Sequence, residues 1–267
     1  MNKVMVTGAS GILGRRLVTL LTHAVDQVVL FSGDITDLEV IRLNLHKHSD
    51  VTHFFHLAAV VPTDEVESRF AYALDVNAYG TGLLLASLIE AGMDPWFCYV
   101  SSSHVYEPSE APLTENSACS PSSLYGLTKY LGEMNLEGLR ARYNGVIAIA
   151  RVFSYYDEAQ VGSFLYPAWV EKTRNWDGRS ELEVYGGNSV RDFSHASEVV
   201  LQLEKLMQSE FSGTVNLGMG RPKKVVDFLK EMVGDQYPFI SIGTSNTIVP
   251  DIQKLSTLYR GSDDQAS

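Results

Sequence analysis

The chain predicts an α/β fold, a doubly wound parallel sheet with a small, shortened C-terminal lobe. Through its first half, short β-branched apolar runs alternate with helical patterns, the layout of parallel strands joined by crossover helices. A glycine-rich turn, Thr7-Gly8-Ala9-Ser10-Gly11-Ile12-Leu13-Gly14, joins the first strand to the first helix. The 267 residues, 45% of them hydrophobic, suffice for one large core with a lobe grafted on it. Together these define a Rossmann-type architecture.

Strands are expected at 3–7, 28–31, 53–56, 96–101 and 146–152, and helices at 12–23, 37–47, 75–91 and 123–143, where apolar residues recur at three and four. After Phe153 the rhythm degrades into a Trp- and Tyr-rich stretch. Shorter elements follow: strands at 182–185, 214–217 and 239–242, and helices at 195–208 and 224–233. Residues 1–156 with 186–220 are assigned to a dinucleotide-binding domain and 157–185 with 221–259 to an interleaved lobe. Residues 260–267 are polar, without aliphatic anchors, and are expected to form a tail.

Bulk properties narrow the chemistry. A net charge of −11 with no basic stripe excludes a protein that tracks nucleic-acid phosphates. One small anion can still be gripped by one or two local arginines. Cys98 lies in an apolar run and Cys119 in a Ser/Pro-rich loop, no disulfide framework, which suits a reducing compartment. No signal-peptide pattern opens the chain and no apolar run reaches bilayer length, so a cytoplasmic protein without membrane contact is expected. The seven histidines show no ligand spacing with cysteines or paired acids, and His46 and His48, two apart on a helix, cannot face one ion, so no metal is assigned.

In the glycine turn, Gly8 and Gly11 let the backbone turn tightly and approach a pyrophosphate, while Gly14 lets helix and strand pack closely. The helix N-terminus, with Ser10, Ile12 and Leu13 around it, supplies amide donors to the anion. The acid that usually ends the second strand and grips a ribose is missing. Residues 28–32 run straight into Gly33-Asp34-Ile35, so one strand and helix are abbreviated. Asp34 remains placed for the adenine edge, and the choice between NAD and NADP stays open. Arg15 and Arg16 have the reach for a 2′-phosphate, the alternative being solvated first-turn arginines.

Tyr125 and Lys129 stand four apart on a helix and project from one face. A lysine ammonium beside a phenol lowers a pKa that starts near about 10 and makes a base available at neutral pH. Ser102, at the end of the preceding strand, can bond the same substrate oxygen, so the three groups polarise an alcohol or ketone while a nicotinamide moves hydride.

These motifs, with Gly-Asp-Ile-Thr-Asp at 33–37, His-Leu-Ala-Ala at 56–59, Asp-Val-Asn-Ala-Tyr-Gly-Thr at 75–81, Ser-Ser-Ser-His-Val-Tyr at 101–106, Tyr-Gly-Leu-Thr-Lys at 125–129, Arg-Asp-Phe-Ser-His at 191–195 and Val-Asn-Leu-Gly-Met-Gly at 215–220, resemble the extended short-chain dehydrogenase/reductases, the NAD-dependent epimerase/dehydratase family of nucleotide-sugar enzymes. The resemblance covers residues 3 to about 259. It implies that Tyr125 is the general acid/base, that Lys129 holds the nicotinamide ribose and tunes the tyrosine, and that Ser102 takes the Ser/Thr position. It implies cofactor contacts at Thr7, Ile35, Leu57, Ala58 and Ala59, with Asn77 behind the active site, and substrate contacts at Ser102, Ser103 and Arg191. Arg191 matches an arginine on the substrate diphosphate; an ion pair with Asp192 is the plainer alternative. It further implies a homodimer through a four-helix bundle built from 75–91 and 123–143, with Leu83, Leu84, Leu131 and Leu136 as extra apolar residues. Those leucines facing the sheet is the other possibility.

Where the family reads Arg-x-Phe-Asn-x-Tyr-Gly-Pro, this chain has Arg151-Val-Phe-Ser154-Tyr-Tyr156-Asp157-Glu158, which sets two acids near a phosphate-bearing ligand. Dehydratases resemble one another in an Asp-Glu pair after the catalytic serine, and Ser103 and His104 stand there instead. The resemblance therefore implies reduction of a 4-keto-6-deoxy sugar carried on a nucleotide, with or without epimerisation. A nucleotide-sugar 4-epimerase with tightly bound NAD is the close alternative, and a non-catalytic dinucleotide-sensing regulator is one of another class. His104, two beyond Ser102 on an expected extended segment, is the further acid/base candidate; hydrogen bonding to a sugar hydroxyl or loop carbonyl is its other reading.

Overall fold

Six parallel strands form the main sheet of the computed structural model, which describes residues 2–61 and 63–263. From one edge they run Gly213–Leu217, Ile147–Val152, Trp96–Ser102, His53–His56, Lys3–Thr7 and Gln27–Leu30. The order reverses between Lys3–Thr7 and His53–His56, and the carboxyl ends of those strands open the crevice where such sheets bind ligands. A single helix, Leu38–Lys47, separates Gln27–Leu30 from His53–His56, the abbreviation expected from the sequence. Three interior strands are buried along their length, which accounts for their near-continuous apolar runs.

Helices cover both faces. Ile12–Leu21 and Ala196–Gln208 pack one face around Leu17, Val199 and Leu203. Leu38–Lys47, Thr81–Glu90 and Leu124–Leu139 pack the other around Ile41, Leu84, Leu88 and Leu136. Leu84 and Leu136 are therefore core residues of the chain itself, whereas Leu131 is 36% exposed.

The long helix expected at 75–91 opens as a π-helical turn, Asp75–Gly80, before Thr81–Glu90. The widened turn carries the Asn77 side chain inward, where it accepts from Val60 N (2.8 Å) and donates to Val60 O (2.8 Å) and Thr128 Oγ1 (2.9 Å). Helices at Thr63–Ser68 and Phe70–Leu74 are too short to give a periodic signal, and Leu165–Arg174 lies in the Trp- and Tyr-rich stretch where the rhythm degrades. The last helix, Gln253–Asp263, runs into the segment expected to be a tail, whose residues 264–267 lie outside the described residues. Its Leu255 is buried in the main core, so this helix packs on the main sheet rather than in the second lobe, where residues 221–259 were expected. That lobe pairs Leu182–Tyr185 with Phe239–Ile242, joins Pro222–Lys224, Val190–Asp192 and Thr247–Ile248 in a three-stranded sheet, and centres on Trp169, Phe228 and Leu229. No helix among the described residues is long and apolar enough to cross a membrane.

One buried hydrogen-bond chain ties these parts beneath the crevice. Thr7 Oγ1 accepts from Leu57 N and Ala58 N, both at 3.1 Å, so its proton is left for His56 Nδ1 at 2.7 Å. His56 Nε2–H then donates to Thr81 Oγ1 (3.0 Å), whose own proton goes to Asn77 O (2.8 Å). Burial, aided by the positive charge of Lys129, pushes the His56 pKa down to about 3, and the ring stays neutral. Because the folded value lies below the unfolded one, the unfolded chain takes up this proton first, and stability is lost as pH falls from about 6.5 towards about 3. The slope is about 1.4 kcal/mol per pH unit for one proton. His56→Gln is expected to flatten the acid limb by about that amount in urea unfolding between pH 4 and 7. Equal slopes in the two proteins would rule out a neutral buried His56.

Candidate active site

A continuous cleft of ≈ 1720 Å³ opens at the carboxyl ends of the main strands and extends onto the second lobe. Its wall includes the glycine turn from Gly8 to Gly14, Asp34 and Ile35, Leu57 to Ala59, Ser102 to His104, Tyr125, Lys129 and Arg191. Thr7, expected at the cofactor, is instead fully buried beneath the wall, and Asn77 is fully buried behind it. Their polar atoms are taken up by the backbone of Leu57, Ala58 and Val60, so they shape the groove without lining it.

The glycine turn is built by contact distances. Gly8 has φ +68°, and a Cβ there would lie 2.5 Å from Ala58 N; at Gly14 it would lie 2.1 Å from Gly8 O. Gly11 begins the helix Ile12–Leu21 with no side-chain cap, which leaves first-turn amides for a ligand anion and fits the residues present to a pyrophosphate. Asp34, exposed at the rim, accepts from Thr36 N and Thr36 Oγ1, both at 2.8 Å. Arg15 lines the cleft and donates to Ser10 O (2.8 Å).

Arg16, though partly exposed, is engaged elsewhere than at a 2′-phosphate, because it forms an ion pair with the buried Asp157 and lies 3.8 Å from Glu158. Burial alone pushes the Asp157 carboxyl up, but the bonds from Arg16 and Ala159 N–H outweigh it and hold the group below its usual value. The two acids expected near a phosphate-bearing ligand are thus paired with Arg16 and His195. Asp157, Glu158 and His195 offer acceptor atoms within 4.8 Å of one another, with His195 Nε2 3.1 Å from Glu158, and the Arg16 guanidinium balances the charge of this group.

Ser123 caps the helix Leu124–Leu139 by accepting from Gly126 N (3.0 Å), which sets Tyr125 in its first turn. At Gly126 a Cβ would lie 2.2 Å from His104 O, so only glycine lets the helix start abut the tight turn Ser103–Val105. That turn is a 3-10 helix rather than the extended segment expected. His104 still reaches the cleft, and its ring meets Tyr125 edge-on at 5.4 Å. Ser102 bonds the Tyr125 hydroxyl and accepts from His104 N (3.2 Å).

The expectation that Lys129 lowers the Tyr125 pKa is not met. Burial pushes Tyr125 up to about 12, opposed by the Ser102 hydrogen bond, and pulls Lys129 down to about 7, opposed by Glu133. Both charged forms lose hydration in the same enclosed site, and the Lys129 ammonium rests over the Tyr99 ring at 4.2 Å. Loss of hydration and the charge of Arg191 lower the His104 pKa.

Arg191 does not pair with Asp192. Its guanidinium donates to Val190 O (2.9 Å), Asn246 O (3.0 Å) and Asn246 Oδ1 (2.6 Å), whereas Asp192 accepts from Met219 N (2.6 Å) and Arg221 N (2.7 Å). The positive charge therefore reaches the cleft without a carboxylate beside it. Tyr185, 81% exposed on the same wall, and Asn246 escaped the sequence reading. The sequence signal that could have found Tyr185 is an aromatic residue ending a strand just before Gly186-Gly187.

The model of the NAD dependent epimerase/dehydratase family matches residues 4–218. The dTDP-4-dehydro-6-deoxyglucose reductase of Escherichia coli is 24% identical over 291 residues, spanning 95% of this chain and 90% of that protein. A putative UDP-glucose 4-epimerase of Methanocaldococcus jannaschii is 26% identical over 258 residues, spanning 86% and 82%. The structure of MoeE5 in complex with UDP-glucuronic acid and NAD superposes with a TM-score of 0.81 at 25% identity, over 96% of this chain and 92% of that one. A family match over most of the chain and a glycine turn, serine, tyrosine and lysine gathered on one cleft lead to the same conclusion: this protein belongs to the NAD-dependent epimerase/dehydratase family.

Proposed function

We propose that the protein is an NAD(P)-dependent reductase of a nucleotide-activated 4-keto-6-deoxysugar, with or without epimerisation at a neighbouring carbon. The observation that carries this reading is Tyr125, half-buried at the cleft beside Ser102 and Lys129 and retaining its proton at neutral pH, the form that ketone reduction consumes. The bound dinucleotide supplies hydride chemistry. Tyr125 delivers its proton to the carbonyl oxygen, Ser102 bonds that oxygen, and Lys129 holds positive charge under the reacting centre. Arg191 grips the diphosphate, and the exposed Tyr185 ring offers a face to the nucleoside base. The similarity to the Escherichia coli reductase over 95% of this chain supports the same assignment. The similarity to the Methanocaldococcus jannaschii protein keeps a 4-epimerase as the second reading.

A homodimer through the outer face of Asp75–Glu90 and Leu124–Leu139 is the assembly we propose, since Tyr79, Leu131 and Met134 remain exposed there. Light scattering at micromolar concentration is expected to give twice the chain mass; the mass of one chain would exclude it.

Two variants separate the ligands. Tyr125→Phe is expected to bind dinucleotide nearly as the parent does while turnover of a 4-keto sugar nucleotide falls by about a hundredfold or more. Arg191→Ala should weaken nucleotide-sugar binding far more than dinucleotide binding, because a bidentate charge-assisted contact is lost. Undiminished turnover in the first, or equal weakening of both ligands in the second, contradicts these roles. Dinucleotide binding without turnover in the parent protein would instead favour a sensor.

His104 decides between plain reduction and epimerisation. It touches Tyr125 and faces the cleft, so a histidine with depressed pKa stands ready to accept a carbon-bound proton beside a ketone. Turnover in deuterated water, with products weighed by mass spectrometry, tests this: deuterium on a ring carbon in the parent that is lost in His104→Ala is the outcome of epimerisation through His104. Product without carbon-bound solvent deuterium leaves a simple ketoreductase or a 4-epimerase.

A further inference from the structure

Tyr125, Lys129 and Glu133 follow one another at intervals of four along one face of the helix Leu124–Leu139. The third member takes no part in the chemistry assigned above, yet it is almost fully enclosed, at 3% exposure. Its carboxylate accepts a hydrogen bond from Ser101 Oγ and a forked pair from Arg151, with Nε–Oε1 at 3.0 Å and Nη2–Oε2 at 2.6 Å. Ser101 and Arg151 are register partners on adjacent strands, and Ser101 immediately precedes Ser102. One side chain thus ties the helix bearing Tyr125 and Lys129 to both strands beneath it, one residue from the catalytic serine. Arg151 is itself braced, over the Tyr106 ring at 4.7 Å and on Glu115 O at 3.3 Å.

Building on the oxidoreductase reading of that helix, we infer that Glu133 is a positioning residue of the site: it locks the roll of the helix so that Tyr125 and Lys129 face the cleft, and it supplies the negative charge against which the Lys129 ammonium is held. A forked bond constrains rotation as well as distance, so the helix cannot roll without breaking two buried charge-assisted contacts.

The charged and titratable groups around Lys129 are few. Glu133 and Tyr125 share its helix, Tyr99 lies under it on the strand Trp96–Ser102, and the neutral His56 faces it from His53–His56. Arg151 lies on the far side of Glu133, on Ile147–Val152. Burial pulls Lys129 down to about 7, and Glu133 is the group that opposes it. Without the carboxylate charge, the ammonium gives up its proton at a lower pH.

The test uses dinucleotide affinity, which needs no sugar. Binding of NADH and NADPH is followed by fluorescence from pH 5 to 9 in the parent, Glu133→Gln, Glu133→Asp and the paired Glu133→Gln/Arg151→Met. In the parent, affinity is expected to weaken as Lys129 loses its proton. In Glu133→Gln the same step is expected about one pH unit lower, leaving affinity up to about tenfold weaker between the two midpoints. Glu133→Asp, which keeps the charge, is expected to keep the parent midpoint. The paired variant covers the case in which an unpaired Arg151 prevents folding, and its midpoint is expected to stay displaced. A purely structural Glu133 would lower melting temperature in every variant and leave every midpoint in place. Coincident midpoints in folded protein, or no pH step in the parent, overturn the inference. Parent protein that shows the step but reduces no ketone sinks the reductase reading alone.

Discussion

The site depends on one buried constraint, the hydrogen-bond chain from Thr7 through His56 and Thr81 to Asn77. It joins the two strands between which the sheet order reverses to the π-helical turn on one face. It also holds the amides of Leu57 and Ala58 against Gly8, where a Cβ would lie 2.5 Å from Ala58 N. Buried polar groups are costly unless every one is satisfied, so a chain that satisfies each member in turn leaves few alternative arrangements of the crevice. The π-turn is part of the same constraint, since it brings Asn77 to both backbone groups of Val60.

Charge in the cleft is mixed rather than uniform. The chain carries −11, and the cleft wall sets Arg15, Lys129 and Arg191 among Asp34, Asp64, Glu65 and Glu67. Other acids are paired within the fold: Asp157 by Arg16, Asp192 by backbone amides of the following loop, and Glu133 by Arg151. Positive charge at low dielectric counts for more than net charge spread over a hydrated surface, so local cations can hold an anion on an acidic protein.

Arg16 and Asp157 also give mechanical continuity. Arg16 lies on the helix whose N-terminus faces the cleft, and Asp157 opens the segment leading into the second lobe, where it accepts from Ala159 N (2.8 Å). The lobe is seated on the glycine-turn helix by a charged contact and on its own aromatic centre, including Phe193 stacked on Phe228 at 3.9 Å.

By itself the sequence determined the alternation of strands and helices, the glycine turn and the Tyr125 and Lys129 pair, because each is written in local periodicity or in fixed spacing along one element; Ser102 followed from chain order at a strand end, and Arg191 from the family resemblance alone. Asp37, Ser123 and His195 likewise cap their helices where the pattern started them. Only the tertiary structure decided what lies between elements. It turned Arg16 to Asp157 and freed Arg191 from Asp192. It sank Thr7 and Asn77 beneath the groove, folded His104 into a tight turn, and set the last helix against the main core. It also decided the protonation of the site, because the Tyr125 and Lys129 pKa values are governed by desolvation, which depends on how much of the chain closes over them and not on the four residues that separate them.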